Sequence, residues 1–399
     1  MGLDALAILS FIVAIVALIL STYFYYGSTK QLRNALFEIK EHTNEVFKEV
    51  QGKSNSYIKE TLPRKLRSSI EIDRQINFEA LLRKANNGDP SAQYKVGLIY
   101  DEGHTETPHI ERDAKKAIEW YEKAAKSGHA GATLNIGLMY DLGKDITKNH
   151  SKAKKWYKKA ANLNNAGAMV NMGTLFWQGA ERDYEKTMFW YKRAAELYNA
   201  TGMRGIGLLY YNGQGVDRDF GEAMSWYRKA LDADPNEATA MLNIGTLYDN
   251  GYGVDRDFGE AMSWYRKALD ADPNEATAML NIGTLYDNGQ GVDRDFGEAM
   301  SWYKKALDAD PNNAAAMNNI GELYVNGHGV EQNFNEAMSW YKKALIADPN
   351  NAGAMLNIGI CYDNGQGVER NFNEAMSWYM KAADLGNEDA KEKINELKK

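Results

Sequence analysis

The sequence predicts an all-α protein: a solenoid of stacked helix–turn–helix units behind one transmembrane helix. Three observations predict it. Asp217 to Val254 recurs at Asp255 to Val292 with a single change, Tyr252 to Gln290, and looser copies run on to Val330 and Val368. A fixed period of this size marks a stacked array, in which no unit covers its own apolar stripe and its neighbours bury it. Within each copy, apolar residues return at helical spacing between capping and turn residues. The chain also opens on a long apolar run. These features divide it into an anchor at 1–29, a juxtamembrane helix and linker at 30–77, a repeat body at 78–386 and a capping helix at 387–399.

Leu3 to Tyr26 is almost wholly apolar, and no charge lies between Asp4 and Lys30. At ~1.5 Å per residue such a helix is long enough for a ~30 Å hydrocarbon layer. Tyr23, Phe24, Tyr25 and Tyr26 resemble an aromatic belt at its end. A cleaved signal peptide is the rival reading, weakened by the missing basic start, the long core and the lack of a small-x-small cleavage site. No Lys or Arg precedes the segment, whereas Lys30, Arg33 and Lys40 follow it. The positive-inside rule therefore puts the body of this single-pass protein in the cytoplasm, with a periplasmic or lumenal body as the alternative. The single cysteine, Cys361, excludes internal disulfides and agrees with the first reading. Asn149-His150-Ser151 and Asn199-Ala200-Thr201 fit the glycosylation pattern, which matters only for a lumenal body.

Leu32, Leu36, Ile39, Thr43, Val46 and Val50 form a short heptad seam. It reads either as a homodimerising coiled coil beside the membrane or as an amphipathic helix lying on lipid or on the body. Gly52-Lys53-Ser54-Asn55-Ser56 breaks it, and Arg64, Lys65 and Arg67 belong to a solvated linker or touch anionic lipid.

The array opens with a half unit, Phe78 to Ala85. In each full copy a first helix starts at a residue such as Asp257, with Glu260 three positions on as in a capping box. Phe258, Ala261, Met262, Tyr265, Ala268 and Leu269 form its apolar stripe, and it stops near Asp270. Asp272-Pro273 is expected to cap the second helix, with proline at its first position. That helix carries Ala276, Met279, Ile282, Gly283 and Tyr286 on one side, Gly283 leaving room for a neighbouring helix. Asn288-Gly289 ends it and Gly289-Gln290-Gly291-Val292 turns into the next unit. Trp-Tyr pairs mark the units: Trp120-Tyr121, Trp156-Tyr157, Trp190-Tyr191, Trp226-Tyr227, Trp264-Tyr265, Trp302-Tyr303, Trp340-Tyr341 and Trp378-Tyr379. The polar helix Asp389 to Leu397 is expected to cap the end.

The pattern N-I-G-x-L-Y-x-N-G-x-G-V followed by F-x-E-A-M-S-W-Y-x-K-A resembles the Sel-one-like repeat, a subfamily of the tetratricopeptide-like repeats. Its four extra residues around G-x-G-V separate it from the plain 34-residue form. The resemblance covers about residues 78 to 399 and implies a right-handed α-solenoid with scaffold or adaptor roles.

Most motifs read as architecture. The Trp-Tyr pairs and the Met224, Met262, Met300, Met338, Met376 stripe read as core. The G-x-G copies at Gly213, Gly251, Gly289, Gly327 and Gly365 read as turns rather than phosphate loops, having neither a preceding strand nor a Walker pattern. His104, Glu106 and His109, with Glu102 and His129 nearby, read as a polar loop rather than a metal site, and Cys361 as a small core residue. No nucleophile–base pattern is visible, no cofactor is expected, and net charge −7 gives no basic excess for nucleic acid. The expected protein is therefore not an enzyme.

One ladder stands out. Asn135, Asn171, Asn243, Asn281, Asn319 and Asn357 each lie two residues before the helix glycine, with Lys95 and Gly205 as departures. The resemblance implies that this asparagine faces the concave groove and holds a peptide backbone, to which an amide offers both donor and acceptor. By the same alignment Thr246, Asp249, Thr284, Asp287, Glu322 and Asp363 face the groove, matched earlier by Asp101 and Asp141. An acidic groove favours a basic or polar, extended protein or peptide partner. The alternative is that these asparagines bond within or between units, and that the array is a passive spacer or self-assembling element. Near-identical units suit avidity for a repetitive ligand and a spacer equally.

Overall fold

The computed structural model describes residues 78–397 except 105–108, 144 and 180–181. The apolar segment, the heptad seam, the Arg64–Arg67 cluster and Glu106 lie outside the described residues. No helix among the described residues is long and apolar enough to cross a membrane.

Residues 78–86 are helical, and two kinds of helix then alternate. The odd-numbered ones carry the A-x-A-x-x-N-I-G motif or its variants: α1 (Pro90–Glu102), α3 (Ala130–Leu142), α5 (Ala166–Gln178), α7 (Ala200–Asn212), α9 (Ala238–Asn250), α11 (Ala276–Asn288), α13 (Ala314–Asn326) and α15 (Ala352–Asn364). The even-numbered ones carry Trp-Tyr: α2 (Ala114–Lys126), α4 (His150–Asn162), α6 (Tyr184–Glu196), α8 (Phe220–Ala233), α10 (Phe258–Ala271), α12 (Phe296–Ala309), α14 (Phe334–Ala347) and α16 (Phe372–Asp384). α17 (Glu388–Leu397) closes the series.

The chain forms two compact units. The described part of one is residues 78–87 and the loop after α1, where His104 and Ile110 exchange backbone hydrogen bonds of 2.8 and 2.9 Å. The other takes in residues 88–101 and everything from Asp113 on. It is an all-α solenoid.

Capping fixes the helix starts. The Asp257 side chain accepts the Glu260 N–H at 2.9 Å, and Asp219, Asp295, Asn333 and Asn371 do the same work. The expected role of Asp272 is corrected. It ends α10 in extended backbone, and its carboxylate accepts the Asn274 N–H at 3.0 Å, closing a turn. Pro273 thus lies in the turn, and α11 begins three residues later at Ala276 behind Glu275. The glycosylation-pattern residues Asn149 and Asn199 are likewise N-caps, of α4 and α7.

The period alone does not show which neighbouring helices pair. The structure does: each odd helix from α3 to α15 packs most extensively on the even helix that follows it, and from α7 on the two are joined by the G-x-G turn. Glycine makes this possible. A Cβ on Gly283 would lie 2.6 Å from the Tyr303 ring. The turn is equally tight: Gly291, at φ +69°, sits where a Cβ would come within 2.7 Å of the Phe258 carbonyl carbon. Where the residue between the two glycines is aromatic it stacks on the phenylalanine of the preceding even helix, Tyr252 on Phe220 with centroids 4.5 Å apart and His328 on Phe296 at 4.0 Å. From α7 on the core clusters run odd–even–odd, as with Leu242 of α9, then Ala261, Met262, Tyr265 and Ala268 of α10, then Ala278, Ile282 and Leu285 of α11. Every inner odd helix thus serves two clusters, which couples neighbours along the array.

Candidate functional site

The Trp-Tyr pairs divide into two roles. Seven of the eight tyrosines are at most 1 % exposed, and Tyr191 is 5 % exposed. The tryptophans, Trp190 apart, are only half-buried, which corrects their expected place in the core. Each is covered by a cation three residues on, as with Lys267 over Trp264 at 4.0 Å and Lys305 over Trp302 at 3.9 Å. Met224, Met262, Met300 and Met338 are buried, whereas Met376 at the end of the array is half-buried.

The buried tyrosines end at the face formed by the odd helices. The Tyr265 hydroxyl donates to Asp249 Oδ2 at 2.9 Å and also meets Thr246 and Asn281. The Tyr303 hydroxyl does the same with Asp287 at 3.0 Å, Thr284 and Asn319. At Tyr121 both bonds are of hydrogen-bond length, to Asp101 and from Asn135, each 3.2 Å. Tyr157 donates to Asp141 at 3.0 Å and Tyr379 to Asp363 at 3.4 Å. At Tyr121, Tyr265 and Tyr303 one hydroxyl therefore joins the acid of one odd helix to the asparagine of the next. Burial, and then the adjacent carboxylate, raise the hydroxyl of Tyr265 above the ordinary tyrosine range, so it stays a donor. Burial also raises Asp249 and Asp287 above the usual carboxylate range, against the hydroxyls that they accept.

The remaining ladder residues differ in how far they are committed. Asn357 Nδ2 donates to Asn318 Oδ1 at 3.0 Å and to Glu322 Oε1 at 2.9 Å, bridging α13 and α15. Asn171 and Asn243 are half-buried, and their side chains make no hydrogen bond among the described residues. The Thr246 and Thr284 hydroxyls bond back to the Leu242 and Leu280 carbonyls at 3.0 and 3.1 Å. Asp363 also has the Arg370 guanidinium 4.0 Å away.

The ladder is interrupted in mid-array. At the acid positions stand Trp177 and Tyr211, and at the asparagine position Gly205. Tyr191 turns instead to Thr174 at 3.2 Å, and the buried hydroxyl of Tyr227 has no partner. A hollow of about 330 Å³ opens here, lined among others by Trp177, Gln178, Tyr191 and Arg204. Arg204 is held by Glu237 at 2.7 Å. The tyrosine as the link between acid and asparagine was absent from the sequence reading. Its signal was the 16-residue step from Asp249 to Tyr265 and onward to Asn281, repeated from Asp287 to Tyr303 and Asn319.

The other candidates resolve into structure. His129 caps α3, its Nδ1 accepting the Ala132 N–H at 3.1 Å, and stacks on Tyr94. Among the described residues no three His, Cys, Asp or Glu come together as metal ligands. Cys361 is 1 % exposed, and burial pushes its thiol up to about 11.

Eight consecutive stretches of the chain match the Sel1 repeat family: 90–129, 130–165, 166–199, 200–235, 238–273, 276–311, 314–347 and 352–387. Each begins at an odd helix and takes in the even helix after it, the same pairing that the packing gives. Two solved structures share the fold. One is a protective antigen present in uropathogenic Escherichia coli strains displaying an SLR fold, at 28 % identity over 80 % of this chain and 67 % of that one, with TM-score 0.60. The second is a Sel1 repeat protein from Oxalobacter formigenes, at 25 % identity over 80 % of this chain and 89 % of that one, with TM-score 0.51. No curated protein matches the chain.

Proposed function

The chain belongs to the Sel1 repeat family, and from that premise we propose that it is a membrane-anchored scaffold that gathers a partner protein along its odd-helix face. The partner presents an extended, basic or polar segment. The observation that carries this reading is the row of half-buried amides and carboxylates on successive odd helices, in which Asn171 and Asn243 keep all their hydrogen-bonding capacity. An amide free at both ends is what an extended backbone needs, and a repeat array supplies it at regular intervals. Asp249, Asp287, Glu322 and Asp363 add the charge that selects a basic partner. Leu3–Tyr26 anchors the protein with its body in the cytoplasm, and the Leu32–Val50 seam pairs two copies beside the membrane.

The rival reading is a spacer without a ligand. It draws support from Asn135 and Asn357, whose amides are engaged inside the array. Photo-crosslinking from position 246 in native membranes separates the two. Thr246 is half-buried, and its hydroxyl is tied only to its own helix and the Tyr265 hydroxyl, so replacing it disturbs little. One dominant adduct with a different protein is the expected result. Self-adducts only, or none, would leave the asparagines as packing.

A further inference from the structure

The even row is not uniform in charge. Helices α8 to α16 of that row carry nine Lys or Arg against nine Asp or Glu. Helices α2, α4 and α6 carry twelve against four. α4 alone holds Lys152, Lys154, Lys155, Lys158 and Lys159 and no acid. All five are exposed, and none is ion-paired among the described residues. This is a concentrated positive surface on a chain of net charge −7.

Aromatic rings position the lysines: Lys154 of α4 and Lys186 of α6 both lie over the Phe176 ring, at 4.0 and 5.4 Å, Lys186 being also paired with Asp183. Lys159 covers Trp156 at 4.1 Å and shares a hollow with Lys126 of α2. The three helices therefore present one continuous basic surface. Apolar groups stand exposed in the same units: Phe189 at 54 %, Tyr198 at 63 %, and Leu163 and Leu197 above 40 %.

We propose that the outer face of α2, α4 and α6 docks on an anionic membrane surface. This rests in part on the anchored reading given above. Spread lysines, rather than an arginine fork, suit a diffuse anionic sheet better than one coordinated phosphate. Exposed aromatic and aliphatic side chains among them suit the headgroup boundary.

The test uses the full chain in vesicles of phosphatidylcholine, alone or with one part in three of phosphatidylserine. A fluorophore is placed by Lys158→Cys on α4 or, as a control, by Lys304→Cys on α12. Cys361 is buried and stays unlabelled. Headgroup-labelled quencher lipid reports proximity. Quenching at position 158 should exceed that at 304 several-fold with phosphatidylserine. It should vanish at high salt, where screening shortens the reach of charge, and in the Lys152→Glu, Lys155→Glu, Lys159→Glu triple variant. Equal quenching at the two positions in a chain that floats with the vesicles would overturn the docking face and spare the anchor. Flotation only with phosphatidylserine, abolished by salt, would keep the docking face and remove the anchor. Flotation with neither composition would overturn both. A response at 158 to polyglutamate without headgroup quenching would overturn the membrane in favour of an acidic protein.

Discussion

The units up to α7 and those from α8 on solve the same packing problem with different surfaces. The late ones are near copies, joined after α8, α10, α12 and α14 by an aspartate turn such as Asp272-Pro273-Asn274. The early ones make that junction in fewer residues and force Asn164 and Tyr198 into left-handed backbone, at φ +57° and +58°. They are also basic: residues 78–216 hold 20 Lys or Arg and 15 Asp or Glu, whereas 217–387 hold 13 and 27. The tyrosine network is complete at Tyr265 and Tyr303 but broken at Tyr191 and Tyr227. What does not vary is the seam. Gly97, Gly137, Gly173, Gly207, Gly245, Gly283, Gly321 and Gly359 all lie where a Cβ would come within 2.5–2.6 Å of a tyrosine ring. Packing between paired helices is thus held constant while the exposed faces diverge.

The strongest challenge to that contrast is removal of the ring. Tyr303→Ala and Tyr157→Ala should each cost about 3–5 kcal/mol, read as loss of hydrogen-exchange protection in the flanking helices. A silent early variant would show that the seam is not shared. Gly283→Ala should cost about 1–3 kcal/mol by overpacking. Gly259→Ala is the control, since its Cβ would meet only the cap carboxylate at 3.3 Å, and urea midpoints should separate the pair.

Smaller effects sharpen the difference between intact and broken networks. Tyr265→Phe removes a donor from Asp249 and should cost about 1 kcal/mol, whereas Tyr227→Phe should be neutral or slightly stabilising. The smallest effect is electrostatic. Burial raises the Asp249 carboxyl above its ordinary value of 3.8, so the stability tied to its neutral form is fully present below that value. That stability is lost as the pH rises through the raised folded value. Asp249→Asn keeps an acceptor without the charge. Its melting temperature should therefore exceed the wild type's slightly at neutral pH, with the gap closing in acid.

Much of this was legible in the sequence. Period, helix type, the Asp257 cap and the glycine turns follow from local chemistry, and local chemistry decides them. The misplaced Asp272 cap shows where this stops. Aspartate before proline serves a helix start and a turn equally well, and only the geometry between α10 and α11 chooses. The Trp-Tyr pair looked like one apolar feature, yet neighbouring positions on a helix point about 100° apart, so the tyrosine ring entered the core and the tryptophan stayed half-buried beneath a lysine. The candidate face was legible as a list of positions. Its wiring was not, because the tyrosine joins residues 16 positions before and after it on two different helices.

The turn that seats Gly291 against Phe258 is repeated where Gly253 meets Phe220 and where Gly329 meets Phe296. A whole copy can therefore be spliced in or cut out, and the cut ends meet through a contact the molecule already makes. Length along the array thus changes in whole steps of 38 residues. Natural variants differing by one 38-residue step should fold as this chain does.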